Sequence, residues 1–325
     1  MSAHNIVIGV DVGGTKVSVA ALTGLRTGDP LVRPTQRDSA DALIDQIVEQ
    51  VTQTAAGATP AAVGVGVPSV VEFATGRARS SVNVPLQDVP LRMVLSERLG
   101  VPVFVDNDAT VAALAEAHDD QARLDVRTLV MFTVGTGVGG GIVIDGHSYR
   151  GATGAAGEVG HTLVGIDERI PPPTRFPQVG SLESLAAGHV LDRLARDAAR
   201  EHPGSALGRL LAEHGAVAGP DAVSAAMAGD AVAIDCVAIL GRRLGVGVAN
   251  AINTFDPQVV AIGGGVSSAG ELLVGPARAV AREYVLPGVG TATEIRVARS
   301  GPQAGVRGAA LLARSELRHQ NGEAR

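Results

Sequence analysis

The chain has 325 residues, more than one compact core organises well, so two domains are expected. Hydrophobic residues make up 46% and charged residues 18%, the balance of an ordinary globular protein without disordered bulk. Aromatic residues at 2%, a net charge of −6 and no dense Lys/Arg block argue against a nucleic-acid partner. The single cysteine, Cys236, falls in a helical-looking apolar segment and reads as a small buried hydrophobe. Neither a disulfide within the chain nor a cysteine-based zinc site can be built from it. The opening residues lack a basic n-region and a long apolar h-region, and no run reaches the ~20 apolar residues of a membrane helix. The expectation is a cytoplasmic protein with no membrane partner.

Residues 5–12 form a β-rich run that ends in Gly13-Gly14-Thr15-Lys16, and a second run over 17–22 follows at once, which reads as a hairpin on a glycine turn. Residues 39–56 have helical spacing, with Leu43, Ile47 and Val51 on one stripe and Asp38 or Ser39 as N-cap. A buried strand spans 63–67, residues 69–90 read as loop, and a short helix spans 91–99 with Gly100 as C-cap. A strand over 101–105 delivers Asp106-Asn107-Asp108 to a helix over 109–117. The strand 127–134 feeds a stretch from Val134 to His161 that holds ten glycines. Residues 162–182 read as irregular and carry Pro171-Pro172-Pro173. Helices over 183–201, 205–214, 221–227 and 230–253 follow. The chain closes with a strand over 259–262 ending in Gly263-Gly264-Gly265, a helix over 276–284, a strand over 294–298 and a helix over 305–317. Strands alternating with helices indicate an α/β protein with mixed sheets. Three glycine turns at strand ends, facing one cleft, would cradle one long polyphosphate ligand between two lobes.

Each motif carries a chemical expectation. In Asp11-Val12-Gly13-Gly14-Thr15-Lys16 the glycines let backbone N–H groups approach phosphate oxygens; Asp11 could hold hydrated Mg²⁺ and Thr15 could bond a phosphate. It is not a Walker A loop, because GxxxxGK[ST] is absent. The turn at Gly135-Thr136-Gly137 is followed by a strand rather than a helix, so it is no dinucleotide fingerprint. It repeats the logic of the first turn and suggests duplicated actin-like lobes. The third turn reads as a wall for adenosine. One cap residue suffices for a helix, yet Asp106, Asn107 and Asp108 crowd one strand end. A carboxylate there could accept the proton of a substrate hydroxyl as it attacks a γ-phosphate. Glu158 and His161, flanked by glycines and with Glu183 downstream, suit a clamp on vicinal hydroxyls, which both donate and accept.

The ordered series DVGGTK, FVDNDATVAALAE, GTGVGGGIVIDG, GAAGEVGH, SLESLAAG and AIGGGV resembles the ROK family (repressors, open reading frames, kinases) along nearly the whole chain. The resemblance implies a two-lobed actin-like ATPase (ribonuclease H-like) fold with a mixed sheet in each lobe, in a homodimer. A small α/β lobe would span residues 1–112, with the C-terminal helix, about 305–325, packed back on it, and a large lobe 113–304. The implied activity is an ATP-dependent hexose kinase, glucokinase first, with Asp108 as general base. Asn83, Asn107, Asp108, Glu158, His161 and Glu183 would contact the sugar. Asp11, Gly13, Gly14, Thr15, Lys16, Thr136, Gly137, Gly263, Gly264 and Gly265 would hold ATP and Mg²⁺, the ion reaching Asp11 through water. The alternatives are a kinase for N-acetylmannosamine, fructose or another sugar, a non-catalytic sugar sensor, and polyphosphate in place of ATP.

Two departures stand out. The family's zinc site joins the His of the GH motif to three cysteines, but residues 162–183 hold no Cys and no further His. Zinc is therefore not expected, and the proline-stiffened loop is expected to orient His161 instead. The chain also starts at the first phosphate turn, with no room for the helix-turn-helix of the family's repressors, which favours a kinase.

Overall fold

The structure, a computed structural model, describes residues 6–81, 83–165 and 176–322. Two compact units emerge. The first takes in the chain to Leu129, then Gly141–Gly157 and Ser300 onward; the second is Val130–Gly140 with Glu158–Arg299. Among the described residues no single helix is long and apolar enough to cross a membrane.

The first unit is built on a six-stranded sheet. Strands β1 (Ile6–Val12) and β2 (Lys16–Thr23) pair antiparallel across the first glycine turn. Two short strands, β3 (Arg26–Thr27) and β4 (Leu31–Pro34), both pair with β2. Helix α1 (Ala40–Ala55) follows, and the Ser39 hydroxyl caps it by accepting from the Ala42 N–H at 3.1 Å. Strand β5 (Ala62–Val67) lies parallel to β1. Residues 69–81 are not loop as the sequence suggests: β6 (Ser69–Glu72) and β7 (Arg77–Ser81) form a hairpin of their own. Arg77, Ser80 and Ser81 give the second of these strands no apolar alternation to read. Helix α2 (Leu91–Leu99) ends at Gly100, whose φ of 68° suits a glycine cap. Strand β8 (Val103–Asn107) then pairs parallel with β5 and runs straight into helix α3 (Asp108–Glu116).

A five-stranded sheet has the order β11-β10-β9-β12-β13. Its strands are β9 (Leu129–Val134), β10 (Val138–Ile144), β11 (His147–Ser148), β12 (Val259–Gly263) and β13 (Glu294–Val297). The second unit adds α4 (Leu182–Ala186), α5 (Gly188–Glu201), α6 (Ala206–His214), α7 (Gly219–Met227), α8 (Ala231–Phe255) and α9 (Glu271–Tyr284). The expected helix 183–201 is broken at Ala187, where the backbone turns extended so that the Gly188 N–H can donate to Gly135 O at 2.7 Å. The helix expected from Pro276 starts five residues earlier and keeps the proline inside it. Cys236 is a buried residue of α8, among Val237 and Leu240 of the unit's core.

The last helix, α10 (Ala304–Gln320), belongs to the first unit and explains its two-faced sheet. Ile8, Val10 and Val12 pack toward Leu43, Ile47 and Val51 of α1 on one side. On the other side Val7, Leu22 and Phe104 pack with Val111, Leu114, Leu311 and Leu312 of α3 and α10. This is the period-two alternation of a strand covered on both faces. On the α10 side the approach is to backbone. A methyl group at Gly9 would strike Val306 O, one at Gly64 would strike Ala309 O, and one at Gly308 would strike Val111 O of α3.

Gly64→Ala should therefore destabilise the protein by about 2–3 kcal/mol through overpacking. The urea midpoint would fall with the slope unchanged. A wild-type midpoint would mean that α10 does not need this contact.

Candidate active site

The first glycine turn is closed by Gly13 N donating to Lys16 O at 2.9 Å. Thr35, just beyond β4, braces it from outside: its hydroxyl donates to Gly13 O at 2.7 Å and its N–H to Thr15 O at 3.1 Å. Thr15 and Lys16 are exposed. Gly14 lies against Asn83, so that a Cβ on Gly14 would sit 3.1 Å from that of Asn83. The structure thus places Asn83 beside the first turn. Asp11, at the end of β1, keeps an accessible edge but is surrounded by protein; its carboxylate lies against Gly305 at the start of α10. Burial pushes its pKa up from 3.8 to about 6, against the pull of Lys16. A desolvated hard oxygen with no ion pair among the described residues is a donor that fits hydrated Mg²⁺.

The Asp106-Asn107-Asp108 cluster divides into three jobs. Asp106 is fully buried; its Oδ1 accepts from Asn107 N at 2.9 Å and its Oδ2 from Arg150 Nε at 2.7 Å. Asn107 is the N-cap of α3, its Oδ1 accepting from Ala109 N at 2.9 Å and Thr110 N at 3.1 Å. Its amide donates to Ser69 O at 3.3 Å. Asp108 is half-buried, and its Oδ1 accepts from Ala109 N at 2.8 Å. Asp108 is thus the carboxylate of the cluster that stays partly accessible, and its Oδ1 shares the Ala109 N–H with the Asn107 cap.

In the second unit two glycine turns share one cavity of about 470 Å³. Gly135 and Thr136 form part of one wall, Gly265, Val266 and Ser268 another, while Leu191, Pro220 and Val223 supply apolar surface. Gly264 has φ 86° and presses on the Val134 backbone, which only glycine tolerates. His189 and Asp192 of α5 also line this cavity, and the sequence reading did not single them out. The Asp192 carboxylate accepts from Gly219 N at 2.6 Å and so ties α5 to the start of α7. His189 places Nδ1 3.4 Å from Thr136 O. The available signal was positional: both follow directly on the SLESLAAG motif.

Glu158, His161 and Glu183 converge on the start of β10. Glu183 Oε2 accepts from Val138 N at 2.8 Å and fills the space left by the missing side chain of Gly137. Gly160 presses on Val138 O. Glu158 and His161 lie in and beside one short helical turn, Oε2 to Nε2 at 3.8 Å. The His161 ring meets the ring of Phe176 edge-on at 5.4 Å, and its Nδ1 is buried without a hydrogen-bond partner among the described residues. The proline run, to which the orienting of His161 was assigned, lies outside the described residues. Backbone pairing closes that loop on either side of it: Leu182 N donates to Thr162 O at 2.9 Å, and Val164 N to Gly180 O at 2.9 Å. The donor set does not fit a thiolate-held zinc, because the one cysteine is buried in α8 with its Sγ on Leu194 O.

The chain matches the ROK family over residues 7–316. It is 36% identical to a glucokinase of Halalkalibacterium halodurans over 95% of each chain. It resembles a ROK family glucokinase from Streptomyces griseus, solved in complex with glucose and AMPPNP, with TM-score 0.80, 32% identity and coverage of 95% of this chain and 99% of that one. A ROK hexokinase from Thermus thermophilus gives TM-score 0.74 at 33% identity, over 97% and 99% of the two chains.

The raised Asp11 pKa has a stability consequence. Proton binding favours the folded state, so the ionised carboxylate costs nothing below pH 3.8 and its full penalty above about pH 6, at most about 3 kcal/mol. Asp11→Asn should be more stable than the wild type in urea at pH 8, and the gain should vanish near pH 4. A gain of equal size at both pH values would count against this origin.

Proposed function

The chain belongs to the ROK family, and on that premise we propose that it is an ATP-dependent glucokinase, transferring the γ-phosphoryl group of ATP to the 6-hydroxyl of glucose. The observation that carries the reading is the state of Asp108, a half-buried carboxylate at a strand end whose neighbours are already committed to ion pairing and capping. As general base it takes the proton of the sugar hydroxyl while that oxygen attacks phosphorus. Little covalent work falls to the protein, so positioning and electrostatics supply most of the rate.

The remaining roles follow residue by residue. The cavity of the second unit is of a size that suits a nucleoside. Thr136, which lines it, and Gly137, with Gly263, Gly264 and Gly265, take the nucleotide, and the turn Gly13-Gly14-Thr15-Lys16, closed by the Gly13 N–H on Lys16 O, takes the phosphates through its remaining N–H groups and the ammonium. Asp11 holds Mg²⁺ through water, and the ion, when bound, offsets the negative charge of the transferring group. Asn83, Asn107, Glu158, His161 and the second oxygen of Glu183 bind sugar hydroxyls. The Glu183 bond to Val138 N supports the reading, since it links a sugar contact to the residue after the Gly135-Thr136-Gly137 turn. The reading includes a cytoplasmic homodimer acting on free sugar, with no nucleic-acid or membrane partner.

Asp108→Asn should lower kcat by about 10²–10⁴-fold, the range of general-base catalysis, while glucose still binds in calorimetry. Turnover within twofold of the wild type would remove Asp108 from that role. A panel of sugars read by ADP release tests the acceptor: a clear preference for N-acetylmannosamine or fructose would replace glucose, and no turnover with any sugar would leave a sensor.

A further inference from the structure

Behind the proposed base lies a charge chain, buried at Asp106 and partly exposed at Arg150 and Glu316, that the transfer itself does not use. Arg150 donates from Nε to Asp106 Oδ2 at 2.7 Å and from Nη2 to Glu316 Oε1 of α10 at 3.1 Å. Its guanidinium carbon lies over the ring of Phe73, 3.5 Å from the centroid, and that of Arg92 approaches the same ring at 5.3 Å. The other oxygen of Asp106 receives Asn107 N. The carbonyl of Arg150 accepts from Ala156 N at 3.0 Å, which closes the glycine-rich segment leading to Glu158. Gly154 of that segment rests on Val71 O of β6.

Buried ion pairs are seldom the cheapest way to stabilise a core, since well-packed apolar residues of similar volume often serve as well or better. This pair sits one residue from the α3 cap and two from the proposed base. Its geometry is directional: a fork with two carboxylate partners and an aromatic face fixes the guanidinium in position and plane. We propose that Arg150 is a positioning residue for phosphoryl transfer, holding the end of β8 through Asp106 so that Asp108 meets the acceptor hydroxyl in line with the phosphoryl group. Phe73 and Glu316 hold Arg150 in turn. The proposal rests on the kinase reading with Asp108 as base. A base displaced by about an ångström loses rate steeply, whereas donor binding need not change. A misplaced acceptor also lets water compete for the phosphoryl group.

The test compares wild type, Arg150→Lys and the double variant Asp106→Asn with Arg150→Met, which removes both ends of the Asp106–Arg150 pair and leaves the Glu316 carboxylate, 22% exposed, to the solvent. Melting temperature, kcat, KM for ATP and the ratio of ADP released to sugar phosphate formed are measured for each. The double variant should melt close to the wild type, lose at least tenfold in kcat, keep KM for ATP within twofold and show a raised ratio of ADP to sugar phosphate. Arg150→Lys, which keeps charge but not the fork, should fall between; it also carries the test if the double variant does not fold. Wild-type kcat with a wild-type product ratio in the double variant, or in Arg150→Lys if only that variant folds, would overturn the proposal and leave the pair a structural feature. A wild-type enzyme that forms no sugar phosphate at all would overturn the kinase reading and this one with it.

Discussion

The contact on which the first unit depends is backbone against backbone: α10 lies on β1 and β5 at distances that exclude even a methyl group. Gly9 and Gly64 on the sheet and Gly308 on the helix make room for it, and α3 is held against α10 at Val111. The last segment of the chain therefore fixes both ends of the chemistry in this unit. Asp11 rests against Gly305 at one end of α10, while α3, which begins with Asp108, packs along its side. Glu316, further along α10, reaches Arg150 and through it Asp106. Dispersion gains of this kind come from close packing over a long line rather than from any one pair.

A helix laid that close also sets the electrostatics. It shuts water away from most of Asp11, and that burial raises the Asp11 pKa. The same dense layer seals Asp106, and there Arg150 supplies the compensating charge. Two carboxylates buried by one packing arrangement thus differ: Asp106 is matched by Arg150, and Asp11 has no ion pair among the described residues. The second unit works differently. Its glycine turns border a cavity whose walls include Leu191, Val223 and Val266.

Much of this was legible in the sequence because glycine and carboxylate spacing survive without tertiary information. The hairpin at Gly13-Gly14, the strand delivering Asp106 to Asp108, the Gly100 cap and the Ser39 cap are local, and local rules read them. Other features depend on what meets the chain from elsewhere. The β6–β7 hairpin looks like loop in sequence because its polar second strand pairs without an apolar face. The break at Ala187 exists because Gly188 bonds to Gly135, fifty-three residues earlier in the chain. Thr35, Arg150, His189 and Asp192 were not singled out, since an isolated Thr, Arg, His or Asp has no periodic signature and gains its meaning only from a distant partner.

The polar residues that crowd the motifs illustrate how such a site is assembled. Asn107 spends its carbonyl on two helix N–H groups, Asp106 both oxygens on Asn107 and Arg150, and Glu183 one oxygen on Val138 N. These bonds place the chain; they do not touch a reacting atom. Hydrogen-bonding groups that are satisfied by the fold hold a rigid frame, and a rigid frame gives the neighbouring side chains a defined direction. The density of carboxylates and amides at a strand end is therefore a poor count of catalytic groups and a good indicator of where direction matters. At the end of β8 the Asp106 ion pair and the Asn107 cap are two such frame bonds, one on each side of the turn from strand to helix where Asp108 begins α3.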